Sequence, residues 1–120
     1  IKRVKLALPD ISVGYVDAYF LFENHPRVAE ACDVLLVNCY PFWESCEASF
    51  ALLYMQEMYA RAVQVAKGKK VIISETSWPS IGSPFGAAIP SNDNALEYFI
   101  NAYQWAIEED VEIFYFFLCF

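Results

Sequence analysis

The sequence predicts an α/β fold on parallel strands, and three observations lead there. Short apolar runs, VLLVN at residues 34–38 and VII at 71–73, suit strands buried on both faces. Longer stretches with helical apolar spacing separate them, giving the strand-helix alternation that builds parallel sheets. Polar and aromatic residues gather just after the apolar runs, where parallel sheets place their ligands.

Taken in order, residues 4–8 stay open between a helix tail and a short strand, and Pro9-Asp10 is a turn signal. Residues 11–20, ISVGYVDAYF, alternate roughly as a first strand, with Asp17 and Tyr19 near its carboxyl end. Residues 25–32 predict a short helix, capped by Asn24 with Pro26 in its first turn. The second strand, 34–38, runs into Tyr40, Pro41, Phe42 and Trp43. Flat rings on a strand-end loop can stack on the apolar faces of sugars. Packing at the rim of the sheet explains them as well, while Asn38 beside them offers an amide to a hydroxyl.

Residues 47–66 predict a long helix whose stripe is Phe50, Tyr54, Met58 and Ala62, widened by Leu53 and Val65. Gly68 is its expected left-handed stop, with Lys67 at the negative end of the dipole. A third strand follows at once and delivers Glu75 into the turn Trp78-Pro79-Ser80. Residues 82–91 form a Gly/Pro/Ser-rich loop, either a plain connector or a cleft wall. A last helix from Ser91 or Asn92 to about 109 turns Leu96, Phe99, Tyr103 and Ile107 one way. Residues 113–120 then read as a fourth strand.

A carboxylate at a strand end is a functional candidate by position, and Glu75 is the one this pattern singles out. The alternative at this point is a structural ion pair with Lys69 or Lys70. Right-handed crossovers would bring Asp17, Asn38, Tyr40 and Glu75 to one side of the sheet. Other chemistries find little support. The only histidine, His25, stands at a predicted helix start, so no Cys-His or Ser-His-Asp site is indicated. Cys32, Cys39, Cys46 and Cys119 are not spaced as a zinc site, and their three possible pairings stay open beside four buried thiols. None of the four glycines forms a nucleotide-binding fingerprint. No cofactor or metal is expected.

A net charge of −7, with no basic cluster beyond Lys67, Lys69 and Lys70, argues against nucleic acid or an anionic membrane as partner. A neutral polysaccharide remains compatible. The aromatic run at 113–120 is far too short to span a bilayer, and the amino terminus lacks the pattern of a cleaved leader. Hydrophobic residues make up 58% of these 120 residues, more than one small domain needs, so a missing partner surface is expected.

The strings VNCYPFW at 37–43, SETSWPS at 74–80 and IPSNDNALEYF at 89–99 resemble the fungal branch of glycoside hydrolase family 17. That family comprises β-1,3-glucanases and β-1,3-glucanosyltransferases of cell walls. The resemblance implies the C-terminal half of a (β/α)8 TIM barrel, about four parallel strands and three helices. Residues 1–120 would then be a single, incomplete catalytic domain, since a whole barrel needs at least about 200 residues. It also implies a retaining mechanism on β-1,3-glucan, with Glu75 as nucleophile and the acid/base on an earlier strand not in this chain. Asp17, Tyr19, Asn38, Tyr40, Phe42 and Trp78 are the expected substrate-binding residues. A secreted or cell-wall setting follows from the resemblance, as do the missing half of the barrel or self-association as partner. A catalytically inactive glucan-binding or wall-structural protein is the alternative, separated from the enzyme by retention of Glu75 in an intact motif.

Overall fold

The computed structural model describes residues 1–117 as one sheet with helices. Four strands, β1 (Gly14–Ala18), β2 (Val34–Asn38), β3 (Lys70–Thr76) and β4 (Ile113–Tyr115), lie in the order β1-β2-β3-β4. All three pairings are parallel. Five α-helices accompany them: α1 (Lys2–Ala7), α2 (Tyr19–Asn24), α3 (Pro26–Ala31), α4 (Ala51–Ala66) and α5 (Asn92–Glu108). Sequential order with right-handed crossovers returns each connection over the same face of the sheet. Leu35, Val37, Val71 and Ile73 are buried on that face, whereas Val34, Leu36 and Ile72 on the other are only partly covered. β1 and β4 are its two edges.

Strands stand at all four expected places, though not with all the expected bounds, and parts of the helix reading need correction. The first strand is shorter than 11–20 because its partner β2 ends at Asn38, in register with Ala18. With no ladder left to join, Tyr19 and Phe20 open α2 instead. Asn24 ends α2 and does not cap the next helix, which starts at Pro26 after His25. Residues 4–8 resolve as the helix α1, tied down where Lys5 pairs with Asp33 at 2.6 Å.

The apolar stripe of α4 holds at Met58 and Ala62, and the rest of it, like that of α5, is turned from the one expected. In α4 the buried residues are Ala51, Met55, Met58, Ala62 and Ala66, while Phe50, Leu53 and Tyr54 are exposed. In α5 Tyr98, Ala102 and Ala106 are buried, and Leu96, Tyr103 and Ile107 are exposed. Small alanines let each helix approach the sheet closely, so the larger side chains are left on the outer flank. Ser91 caps α5 as expected, its Oγ accepting from Asn94 N–H at 3.0 Å. At the end of α4 Lys67 takes the left-handed cap at φ +50°, one residue before Gly68. The expected strand at 113–120 is observed over Ile113–Tyr115, and residues 118–120, Cys119 among them, lie outside the described residues.

Candidate active site

Where side chains point at the end of β3 depends on one extra residue. Against β2, Val37 is in register with Ile73 but the next residue, Asn38, is in register with Glu75. Against β4, Ile73 pairs Ile113 and Thr76 pairs Tyr115, three steps on β3 for two on its neighbour. Both neighbours therefore see a β-bulge between Ile73 and Thr76. Strict alternation would place Glu75 with Ile73 under the helices. The bulge instead keeps Ile73 and Thr76 on the helix face, both fully buried, with Thr76 Oγ1 hydrogen-bonded to Tyr98 OH of α5. Ser74 and Glu75 share the opposite face with Asn38. Re-aiming a side chain is what such bulges do beside active sites.

Four polar side chains meet there in two pairs. Tyr40 OH donates to Glu75 Oε2 at 2.6 Å, and Ser74 Oγ donates to Asn38 Oδ1 at 2.7 Å. Accepting from Ser74 leaves the Asn38 NH₂ free to donate into the cleft. The main chain fixes the same place, since Cys39 N–H donates to Glu75 O at 2.8 Å. Burial, the bond to Glu75 and its charge together raise the Tyr40 hydroxyl well above its ordinary pKa, so it stays a donor. Neither lysine partners Glu75: Lys69 donates to Ala29 O and Glu30 O, and Lys70 to Glu112.

The structure brings Asn38, Tyr40 and Glu75 together and leaves the other expected residues apart. Asp17 is in register with Val37, on the helix-covered face, because β1 has no bulge to turn it inward. Its Oδ1 accepts from Ala18 N–H at 2.7 Å. Tyr19 is buried in α2, where its OH donates to Glu44 Oε1 at 3.0 Å and Arg61 lies over its ring. Burial, then the bond to Glu44, push this hydroxyl up to about 12. Phe42 and Trp78 are each 4% exposed and meet edge-on at 5.2 Å. Trp78 Nε1 donates to Ile89 O at 3.0 Å. Both rings pack beneath the rim, and Trp78 also lines the apolar gap beside β4.

Trp43, the ring that follows Phe42, belongs to the aromatic rim that the sequence predicts but not to the expected substrate-binding residues. It is 62% exposed and held edge-on by Phe42 at 4.9 Å. The 3₁₀ turn Pro41–Glu44 that carries it is the only available signal, since it throws successive rings to opposite sides. A cavity of about 480 Å³ lies between Trp78, Leu96, Phe99 and Tyr115 and includes neither Tyr40 nor Glu75. It is the apolar gap beside edge strand β4. Cys32, Cys39 and Cys46 are free and buried, with burial raising each thiol, Cys39 to about 12, so none is an activated nucleophile. Among the described residues no group of three His, Cys, Asp or Glu could hold a metal, and no helix is long and apolar enough to cross a membrane.

Comparison with known proteins finds relatives in sequence and in fold. The family model described as the BtgE/BtgC glycoside hydrolase domain matches residues 1–120. A probable glucan endo-1,3-beta-glucosidase of Aspergillus niger is 38% identical over 94 residues, covering 74% of this chain and 20% of that protein. The crystal structure of a glycoside hydrolase family 17 β-1,3-glucanosyltransferase from Rhizomucor miehei superposes with a TM-score of 0.88 at 31% identity. The match covers 96% of this chain and 43% of that one. An active-site mutant of the same Rhizomucor miehei enzyme, in complex with laminaritriose, matches equally well at 30% identity. The chain thus spans about a fifth of the curated relative and less than half of the solved structures.

Proposed function

This chain belongs to the BtgE/BtgC glycoside hydrolase domain family, within glycoside hydrolase family 17, and from that premise we propose that it supplies the nucleophile half of a retaining β-1,3-glucan-active site. The observation that carries the reading is the Tyr40 hydroxyl bonded to Glu75 Oε2 at 2.6 Å on the helix-free face of the sheet. A carboxylate clamped through one oxygen leaves the other to attack an anomeric carbon.

The chemistry runs in two steps. Glu75 forms a bond to the anomeric carbon as the glycosidic C–O bond breaks, and the departing oxygen takes a proton from a second carboxyl group. Water or the hydroxyl of an acceptor sugar then displaces Glu75, giving hydrolysis or transfer, while that second group takes the proton back. The acid/base comes from another strand of the complete protein, at the roughly 5 to 5.5 Å that retention requires. Within this chain Asn38 donates to a sugar hydroxyl, Tyr40 orients Glu75, and the open face of Trp43 stacks on a sugar ring. A secreted or wall-bound protein acting on glucan polymer fits this reading.

The test is to trap the intermediate. A 2-fluoro glucoside with a good leaving group should label Glu75 in the complete protein, and Glu75→Gln should abolish labelling. Turnover should fall by several orders of magnitude while oligosaccharide binding survives. Label on a different carboxylate, or near-normal turnover of Glu75→Gln, would remove Glu75 from the mechanism and favour an inactive glucan binder.

A further inference from the structure

The loop between β3 and α5 doubles back at residues 85–88, where Phe85 N–H donates to Ala88 O at 2.9 Å and Ala88 N–H to Phe85 O at 3.0 Å. Only Gly86 and Ala87 lie between them, so this is a two-residue hairpin tip. Gly86 has φ +58° at the first central position, where such turns favour glycine. The tip is seated on the other rim loop. Ala87 N–H donates to Ser45 Oγ at 3.2 Å. A Cβ on Gly86 would lie 1.7 Å from that oxygen and 2.9 Å from Ser45 Cβ. Ser45 is itself left-handed at φ +60°, ending the turn that carries Trp43. Two residues at positive φ thus fasten the loops together, and one of them has no room for a side chain.

What this clasp places is the ring of Phe85. It meets Trp43 edge-on at 5.2 Å and Phe42 at 6.3 Å. Phe85 is 44% exposed, so it extends the open apolar surface that Trp43 begins. A hairpin serving only to fill the core would have no reason to leave both rings in solvent.

We propose that the hairpin at residues 85–88 is a specificity-determining arm of the cleft, in which Gly86, closed against Ser45, fixes Phe85 beside Trp43 as one platform for the sugar faces of a β-1,3-glucan chain. The inference rests on the site reading above and adds the arm to it. Phe85 contributes contact area, while Gly86 and Ser45 act through it as positioning residues. Because the platform holds sugars in ground and transition states alike, its loss falls on KM and spares kcat.

The test uses the complete protein with laminaritriose as substrate and thermal melts as the folding control. Phe85→Ala and Gly86→Ala should each raise KM about three- to tenfold, the size of one aromatic contact, with kcat within about twofold of the parent. Ser45→Gly removes both atoms that the new methyl group would meet. The Ser45→Gly/Gly86→Ala pair keeps only the strain of an alanine at φ +58° and should therefore recover part of the KM lost in Gly86→Ala, and Ser45→Gly/Phe85→Ala should recover nothing. If Gly86→Ala fails to fold, Phe85→Ala carries the measurement. An unchanged KM in folded Phe85→Ala overturns the arm, as does a Gly86→Ala defect in KM that Ser45→Gly does not relieve. Glu75→Gln separates the two readings: its loss of turnover beside a normal Phe85→Ala sinks the arm alone, and its normal turnover sinks the site.

Discussion

Tyr40→Phe removes one oxygen atom and leaves the ring, so it isolates the hydroxyl that holds Glu75. The bond is 2.6 Å long, within the short range of a hydroxyl donating to a carboxylate. Such charge-assisted bonds contribute about 1.5 to 3 kcal/mol. Two consequences oppose each other in the reaction. A donor on a carboxylate lowers its nucleophilicity, so losing it should help attack; but the same bond fixes the carboxylate orientation, and misplacing a reacting group by about 1 Å costs about a hundredfold. Orientation wins because Glu75 is only half-buried and water can replace the lost donor without restoring the direction of the carboxylate. In the complete protein kcat should fall about ten- to a hundredfold, and KM for laminari-oligosaccharides should stay within about twofold. Steady-state kinetics beside a thermal melt measure both. A folded Tyr40→Phe variant with kcat within twofold of the parent would refute the clamp, and a rise in KM alone would make Tyr40 a sugar contact.

Trp78→Ala should cost about 3 to 5 kcal/mol of stability in denaturant unfolding, since it empties a buried indole site and removes one of the two donors to Ile89 O, Asn94 Nδ2 being the other; unchanged stability with weakened glucan binding would return Trp78 to the cleft. Stability should also fall from about pH 10 upward. Tyr19 and Tyr115 are pushed to about 12, Tyr40, Tyr59 and Tyr98 are raised too, and burial is the first cause in each. Above pH 10 the unfolded chain has released tyrosine protons that the folded chain keeps, so unfolding is favoured by about 1.4 kcal/mol per tyrosine per pH unit up to the folded values; below pH 10 these groups add no slope. Melts between pH 8 and 11 that show no such fall would mean the hydroxyls reach solvent.

The strands were legible because a buried parallel strand needs a continuous apolar run, and VLLVN and VII have few other uses. The helix faces were less so. A stripe built of Phe50, Tyr54, Leu96 and Tyr103 looks more apolar than one built of alanines, yet closeness of approach decided the faces, and Ala51, Ala66, Ala102 and Ala106 went inside beside the expected Met58 and Ala62. An edge of an open sheet also leaves real apolar residues uncovered, and periodicity cannot tell these from core. The same ambiguity governed the rim. Phe42 and Trp43 are adjacent in sequence and alike in chemistry, and only the 3₁₀ turn separates a packing ring from an open one.

The two carboxylates singled out at strand ends met different fates for a reason that lies in register. Asp17 and Glu75 are both carboxylates following β-prone stretches, and although the SETSWPS string marks Glu75, alternation by itself ranks neither over the other. On a strand, side-chain direction has period two, so the outcome depends on counting residues from the last buried position. From Tyr15, in register with buried Leu35, the count of two puts Asp17 on the helix face. From Ile73 the count of two would put Glu75 there as well. The inserted residue changes the parity, and Thr76, three on from Ile73, takes the helix-facing place with Tyr98 as its partner. The Thr76 hydroxyl bonded to Tyr98 therefore does more than satisfy a buried pair: it holds the strand in the bulged register that exposes Glu75. The sequence carries this device as the polar triplet Ser74-Glu75-Thr76, in which each residue already has a partner waiting, Asn38, Tyr40 and Tyr98 in turn. No period-two pattern can satisfy all three, because Thr76 must face the helices while both of its predecessors face away.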